Sequence, residues 1–154
     1  MIARVAGPGA QLEEVRSLFL EYAQSLGFSL CFQGFDEELR ALPGMYAPPR
    51  GRLLLATEDE VPAGCVGLHE WDAGIAEMKR LYVRNAYRGR GLGRVLTAAA
   101  LADARALGYR SVRLDTIPSL MQPAIALYRE LGFREIPPYR DNPIPGALYL
   151  ELKI

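Results

Sequence analysis

Cysteine and histidine are scarce in this chain of 154 residues, which holds two Cys (Cys31 and Cys65) and one His (His69). Two distant cysteines make no disulfide framework, and a reducing cytoplasm is the default compartment for such a chain. Cys65-x3-His69 offers too few ligands for zinc, which takes three or four from a protein, so no metal is expected. Net charge is also missing. Lys+Arg and Asp+Glu each count 18 and cancel, so no global field draws in nucleic acid or an anionic membrane. No apolar run approaches the ~18 residues of a spanning helix. Glu13 and Glu14 stand where a signal peptide needs its apolar core, so secretion is not expected. What is present is ordinary globular material, 50% apolar and 23% charged in 17.0 kDa. The size predicts one domain, residues 1–154, able to bury its core without a staple.

Periodicity and turn chemistry divide the chain into alternating strands and helices. Ile2–Ala6 reads as a strand. Gln11–Leu26 reads as an amphipathic helix, with Leu12, Val15, Phe19, Tyr22 and Leu26 at helical spacing and Gly27 as its stop. A short helix is expected at Asp36–Ala41, followed by a Pro- and Gly-rich loop to Arg50. Strands follow at Arg52–Glu58, Ala63–Trp71 and Ile75–Val83, joined by short turns that imply an antiparallel meander. A long helix is predicted over Gly91–Leu107, closed by Gly108. Then come a strand at Ser111–Asp115, a helix at Pro123–Leu131, a short extension at Arg134–Ile136, a loop at Pro137–Gly146 and a last strand at Ala147–Lys153. The order predicts a mixed sheet with helices on both faces.

One stretch stands out chemically. Between Lys79 and Arg94 lie six basic residues (Lys79, Arg80, Arg84, Arg88, Arg90 and Arg94) and no acidic one. The run ends where a helix begins, and a helix start offers unpaired N–H groups and a positive dipole end. Gly89, Gly91 and Gly93 strip away side chains so that a phosphate can reach the backbone. This predicts a polyphosphate site. The P-loop pattern is excluded because no Lys-Ser or Lys-Thr occurs, and the dinucleotide pattern G-x-G-x-x-G fails at Arg94.

Arg88-Gly-Arg-Gly91-Leu-Gly93 satisfies [RQ]-x-x-G-x-[GA], and here the sequence resembles the GNAT superfamily of N-acetyltransferases. Met78-Lys-Arg-Leu-Tyr-Val83 is similar to that family's fourth strand. Ala124-Ile-Ala-Leu-Tyr128-Arg-Glu-Leu-Gly132-Phe133 is similar to its A-x-x-[LF]-Y-x-x-x-G-F helix. The resemblance covers residues 63–136 well and residues 1–58 by element order only. It implies an α/β (α+β) fold with a mixed, mostly antiparallel sheet of six or seven strands, helices on both faces, and strands 4 and 5 splayed apart. It implies acetyl-CoA as donor. Its pyrophosphate would lie on Arg88, Gly89, Arg90, Gly91, Leu92, Gly93 and Arg94, and its pantetheine arm along Leu81, Tyr82 and Val83. Where the family often has Asn, three residues before the helix Ala, this chain has Met121.

Acyl transfer to an amine needs a neutral nucleophile, and only about one lysine-like amine in 2,500 is neutral at pH 7. A base must take a proton, a donor must hold the oxyanion, and the departing thiolate benefits from an acid. The resemblance assigns Tyr128 as that acid, facing the thioester sulfur, and a phenol is protonated at pH 7. Glu77, six residues before Val83, is the base candidate. A regular strand would put Glu77, Lys79, Leu81 and Val83 on one face and Met78, Arg80 and Tyr82 on the other, a count that a bulge would break. His69 and Glu70 offer a proton relay instead, and a backbone N–H near Leu81 or Tyr82 is the oxyanion donor. Asp115 ends a strand beside the crevice, where it either caps a turn or meets substrate.

Residues 28–50 and 137–146 are expected to flank the acceptor cleft. Tyr22, Phe28, Phe32, Phe35, Tyr46 and Tyr139 are candidate linings, and Asp36, Glu37 and Glu38 are candidate attractors for an amine. A small amine, an amino acid and a peptide N-terminus all stay open as acceptors, and the resemblance allows a homodimer. Two other readings use the same residues: a CoA-binding sensor without transfer, and a nucleic-acid module on the basic run. Zero net charge and the lack of an aromatic platform weigh against the latter, so neither nucleic acid nor membrane is expected as a partner.

Overall fold

The computed structural model describes residues 1–27, 29–30, 34–118 and 122–154. The elements run β1 (Ile2–Arg4), α1 (Ala10–Ser25), α2 (Phe35–Ala41), β2 (Arg52–Glu58), β3 (Val61–Asp72), β4 (Ile75–Val83), α3 (Leu92–Ala106), β5 (Ser111–Thr116), α4 (Gln122–Glu130), β6 (Arg134–Glu135) and β7 (Leu148–Lys153). Single 3-10 turns sit at Gly44–Tyr46 and Asn85–Tyr87. The strands form one seven-stranded sheet in the order β1-β2-β3-β4-β5-β7-β6. Every pairing is antiparallel except β4 with β5. This is the mixed, mostly antiparallel architecture expected from the sequence.

The alternation of apolar side chains along the strands fills two separate cores, one on each face of the sheet. On one face, Leu54, Val66, Leu68 and Met78 pack under Leu96 and Ala100 of α3 and Tyr128 of α4. On the other, Leu53, Leu55 and Cys65 pack under Val15 and Phe19 of α1 and Phe35 and Leu39 of α2. The fully buried Tyr46 ring closes the second core over β3. A Cβ on Gly67 would lie 2.6 Å from that ring, which is why β3 carries glycine there. No helix of the described residues is long and apolar enough to cross a membrane.

Two irregularities shape the centre of the sheet. The parallel β4/β5 register runs only from Ile75↔Ser111 to Glu77↔Arg113. Both strands continue beyond it, to Val83 and Thr116, so a gap opens between them. The second irregularity is a bulge. Cys65 pairs with Tyr82 but Gly67 pairs with Lys79, so β4 carries one extra residue, and Arg80 takes the left-handed conformation with φ 62°. The bulge corrects the face count expected of a regular strand. Leu81 and Val83 turn to the core of α3 and α4, beside Met78, and Tyr82 packs against the other core. Glu77 and Lys79 therefore share the α1/α2 face with Arg80, which lies over the Phe35 ring at 5.1 Å.

Candidate active site

The gap between β4 and β5 is a cavity of about 520 Å³, within the usual range for a small-molecule site. Met78–Val83 line it from one strand, and Leu114, Asp115, Thr116 and Ile117 from the other. It reaches Tyr22 and Ser25 of α1 with Leu26 just after it, and also Ala124, Leu127 and Tyr128 of α4. The cavity thus passes through the sheet from one helix layer to the other.

At one end stands the glycine turn. Gly89 and Gly91 both have left-handed backbones, φ 79° and 80°, and a Cβ on either would meet nothing within 4 Å. Their role is to set the turn and to leave its surface open. Gly91 caps α3 without a side-chain hydrogen bond, and the helical ladder begins with the Val95 N–H donating to the Gly91 carbonyl. The N–H groups of Leu92, Gly93 and Arg94 precede that first rung and have no acceptor within the helix. Arg88, Gly89, Gly91, Leu92 and Gly93 line the cavity. Arg90 and Arg94 do not. Arg90 pairs with Glu58 at 2.8 Å, and Arg94 pairs with Glu130. Arg88 is steadied by its Nε donating to the Val83 carbonyl at 2.9 Å.

Tyr128 is 5% exposed, and its hydroxyl has no hydrogen-bond partner among the described residues. Burial pushes its pKa up, and Tyr22, near it across the cavity, adds to the shift.

Glu77 is fully buried and does not line the cavity. It accepts hydrogen bonds from Tyr139 at 2.7 Å and from Arg140 at 2.5 Å, and it lies 2.8 Å from His69 Nε2. Burial would raise its pKa, but the His69 hydrogen bond and the charges of Lys79 and Arg140 outweigh burial and hold the carboxyl below its usual range. His69 Nδ1 faces the Glu70 carbonyl at 2.8 Å. Both ring nitrogens therefore meet oxygens. The Glu70 carboxylate turns away to Arg50, 3.5 Å off.

Of the aromatic candidates, Tyr22 lines the cavity. Phe35 and Tyr46 are core residues, and Tyr139 is spent on Glu77 and on ring contacts with Trp71 and Tyr149. Phe28, Phe32 and Met121 lie outside the described residues. Asp36 and Glu37 are exposed, whereas Glu38 turns inward to Arg80. Three further polar residues line the cavity. Asp115 is the one carboxylate among the lining residues, with one oxygen held by Asn142 Nδ2 at 3.1 Å. Lys79 and Asn142 line it too. Among the described residues, no group of three or more His, Cys, Asp or Glu is placed to hold a metal ion.

Comparison with known proteins agrees with this geometry. The sequence model of the Acetyltransferase (GNAT) family matches residues 12–133, which takes in β4, the glycine turn and the Tyr128 helix. The chain belongs to this family. As a GNAT acetyltransferase it is 41% identical over 145 residues to an uncharacterized N-acetyltransferase of Schizosaccharomyces pombe, covering 93% of this chain and 88% of the relative. It is 28% identical over 216 residues to an uncharacterized N-acetyltransferase of Dictyostelium discoideum, covering all of both chains. Among solved structures, an acetyltransferase from Streptococcus agalactiae has the same fold, with a TM-score of 0.81 at 21% identity over 100% of this chain and 98% of that one. The GNAT fold accounts for the β4/β5 gap.

Proposed function

We propose that this GNAT enzyme transfers acetyl from acetyl-CoA to a primary amine by direct attack inside the β4/β5 cavity. The observation that carries the reading is the continuity of that cavity. It joins an open glycine turn at the start of α3 to Tyr128 of α4, and then to the α1 side of the sheet. The turn suits a pyrophosphate because a helix start supplies N–H donors and the glycines leave them uncovered. The free edge of β4 beyond Glu77 suits the amide groups of a pantetheine arm, with Leu81, Tyr82 and Val83 beside it.

In the reaction the amine nitrogen bonds to the thioester carbonyl carbon and the C–S bond breaks. Tyr128 donates its proton toward the departing sulfur. A phenol with a raised pKa is a weaker acid than a thiol of pKa near ~8.5, so no lasting phenolate forms. The proton lost by the nitrogen replaces the one given up. Asp115 is positioned to hold the acceptor's ammonium, which releases its extra proton to solvent water before the nitrogen attacks. In this reading Glu77, expected from the sequence as the base, acts instead as a positioning residue that holds Tyr139 and Arg140 of the 137–146 loop against the sheet.

The test is a thermal-shift titration with acetyl-CoA, with ATP and NAD as controls, followed by an assay of CoA thiol release with an amine panel. At 100-fold over Kd the ligand adds about 2.7 kcal/mol, a Tm rise of roughly 5–11 °C for a domain of this size. A rise specific to acetyl-CoA with amine-dependent thiol release supports transfer. A rise without release under any amine supports the sensor reading instead, and no rise removes both.

A further inference from the structure

The α1/α2 side of the cavity holds a cation, Lys79, without a partner among the described residues. Lys79 is 8% exposed and lines the cavity. Among the described residues its ammonium makes neither a hydrogen bond nor an ion pair. The two acids on its side are already occupied. Glu38 accepts from Arg80 Nε at 3.0 Å, from Arg80 Nη2 at 2.9 Å and from the Tyr46 hydroxyl at 2.8 Å. Glu77 is taken by His69, Tyr139 and Arg140. A buried ammonium without a partner is costly, because water no longer solvates it. Burial, reinforced by the nearby charge of Arg80, lowers the Lys79 pKa to about 8, so the group is still mostly charged at neutral pH. The sheet maintains a positive charge in a cavity where an apolar side chain would be cheaper.

The same cavity contains the opposite charge at a separate place. Asp115 lies on β5 and Lys79 on β4, and the two are not paired with each other. Asp115 and Lys79 thus offer an anion and a cation on the two walls of one gap. From this juxtaposition we infer that the acceptor is an amino acid or a similarly small amine bearing a carboxylate, with Lys79 binding the carboxylate and Asp115 meeting the ammonium. The inference rests on the acetyl-transfer reading and narrows its substrate class. A peptide N-terminus or a simple alkylamine would place no anion at Lys79 and would leave its burial uncompensated.

The experiment compares acceptors that differ only in that anion. CoA thiol release is measured with the common L-amino acids, their carboxamides and their decarboxylated amines, using the full chain and acetyl-CoA. The best amino acid is expected to exceed its amide by at least tenfold in kcat/KM. In Lys79→Met that ratio is expected to fall at least tenfold, and in Lys79→Arg to recover in part. Amides or decarboxylated amines acetylated as well as the acids would overturn the inference while leaving acetyl transfer intact. So would a ratio unchanged in Lys79→Met. If no amine is turned over, the N-acetylated amino acids serve as binding probes. A Tm rise in the wild type that Lys79→Met abolishes sustains the carboxylate subsite, and the absence of any rise ends it. The acetyl-CoA titration reports separately on the donor site.

Discussion

The Arg80 guanidinium and the Glu38 carboxylate form a two-pronged ion pair, 2.9 and 3.0 Å, with both side chains no more than 5% exposed. The pair ties the short helix α2 to the bulge of β4 and so fixes the wall of the cavity. Burial tends to raise the Glu38 pKa, but the Arg80 hydrogen bonds and charge prevail and hold it below the usual carboxylate range. Its contribution to stability is therefore present above the unfolded-state pKa and lost as pH falls through the lower folded-state value. Glu38→Gln keeps the shape but removes the carboxylate charge that balances the buried guanidinium. Such a break costs about 3–5 kcal/mol, which thermal unfolding at pH 7 should report as a Tm lower by roughly 6–20 °C.

The bulge at Arg80 also marks where sequence reasoning stops. The strand and helix positions were legible because their ends carry turn chemistry, such as Gly27, Gly74 and Gly108, each with positive φ. The glycine turn and Tyr128 were legible because each belongs to a compact motif. A left-handed residue in mid-strand is ordinarily glycine or asparagine, and an arginine there sends no signal. Without the bulge, Leu81 and Val83 are assigned to the wrong face. Glu77 was legible by its place six residues before Val83, but Tyr139 and Arg140, which occupy it, arrive from a loop 62 and 63 residues later. The same distance problem hides the partners of Arg90 and Arg94, since Glu58 and Glu130 lie 32 and 36 residues away. Local pattern finds a motif, but it does not say which of its charges are already paired.

Lys79 gives a stability prediction with a defined sign. Its folded-state pKa, about 8, lies below the ordinary lysine value of 10.5, chiefly through burial and then through Arg80, with Glu77 and Glu38 opposing and Arg140 adding to the shift. Between those two values the unfolded chain binds more protons than the folded one, so this group adds stability as pH rises from 8 to 10.5. Below pH 8 the folded state carries the full cost of the buried charge. Lys79→Met removes that cost and should be more stable than the wild type at pH 7, by on the order of 1–3 kcal/mol. The advantage should shrink steadily above pH 8. Paired urea titrations of the two proteins at pH 7, 9 and 10 check this, and a wild type more stable than the variant at pH 7 would refute the unpaired ammonium.

Glu77→Gln separates positioning from proton transfer. Gln keeps the size but cannot balance Arg140, so the 137–146 loop should loosen and KM for the acceptor should rise, by about 10-fold for a lost charge-assisted contact. The pH dependence of kcat should keep its shape, because the carboxyl already ionises below its usual range and does not titrate near neutrality. A profile that loses an acidic limb in the variant would instead make Glu77 the base.

Tyr128→Phe tests the acid directly. The hydroxyl has no protein partner among the described residues, so its removal leaves none of their buried groups unsatisfied and should not destabilise the fold. The ring remains in its core and keeps its contact with Phe133, now 5.5 Å between centroids. Acetyl-CoA should raise Tm by the same amount in variant and wild type, since the phosphate end of the cavity is untouched. Loss of a positioned proton donor costs about 10²–10⁴-fold, and that loss should fall on kcat, not on the donor KM. It should be smallest for a thioester whose thiol has a lower pKa, which leaves readily without a proton. Equal losses for a good and a poor leaving thiol would assign Tyr128 to packing against Phe133 and pass the acid role to another group.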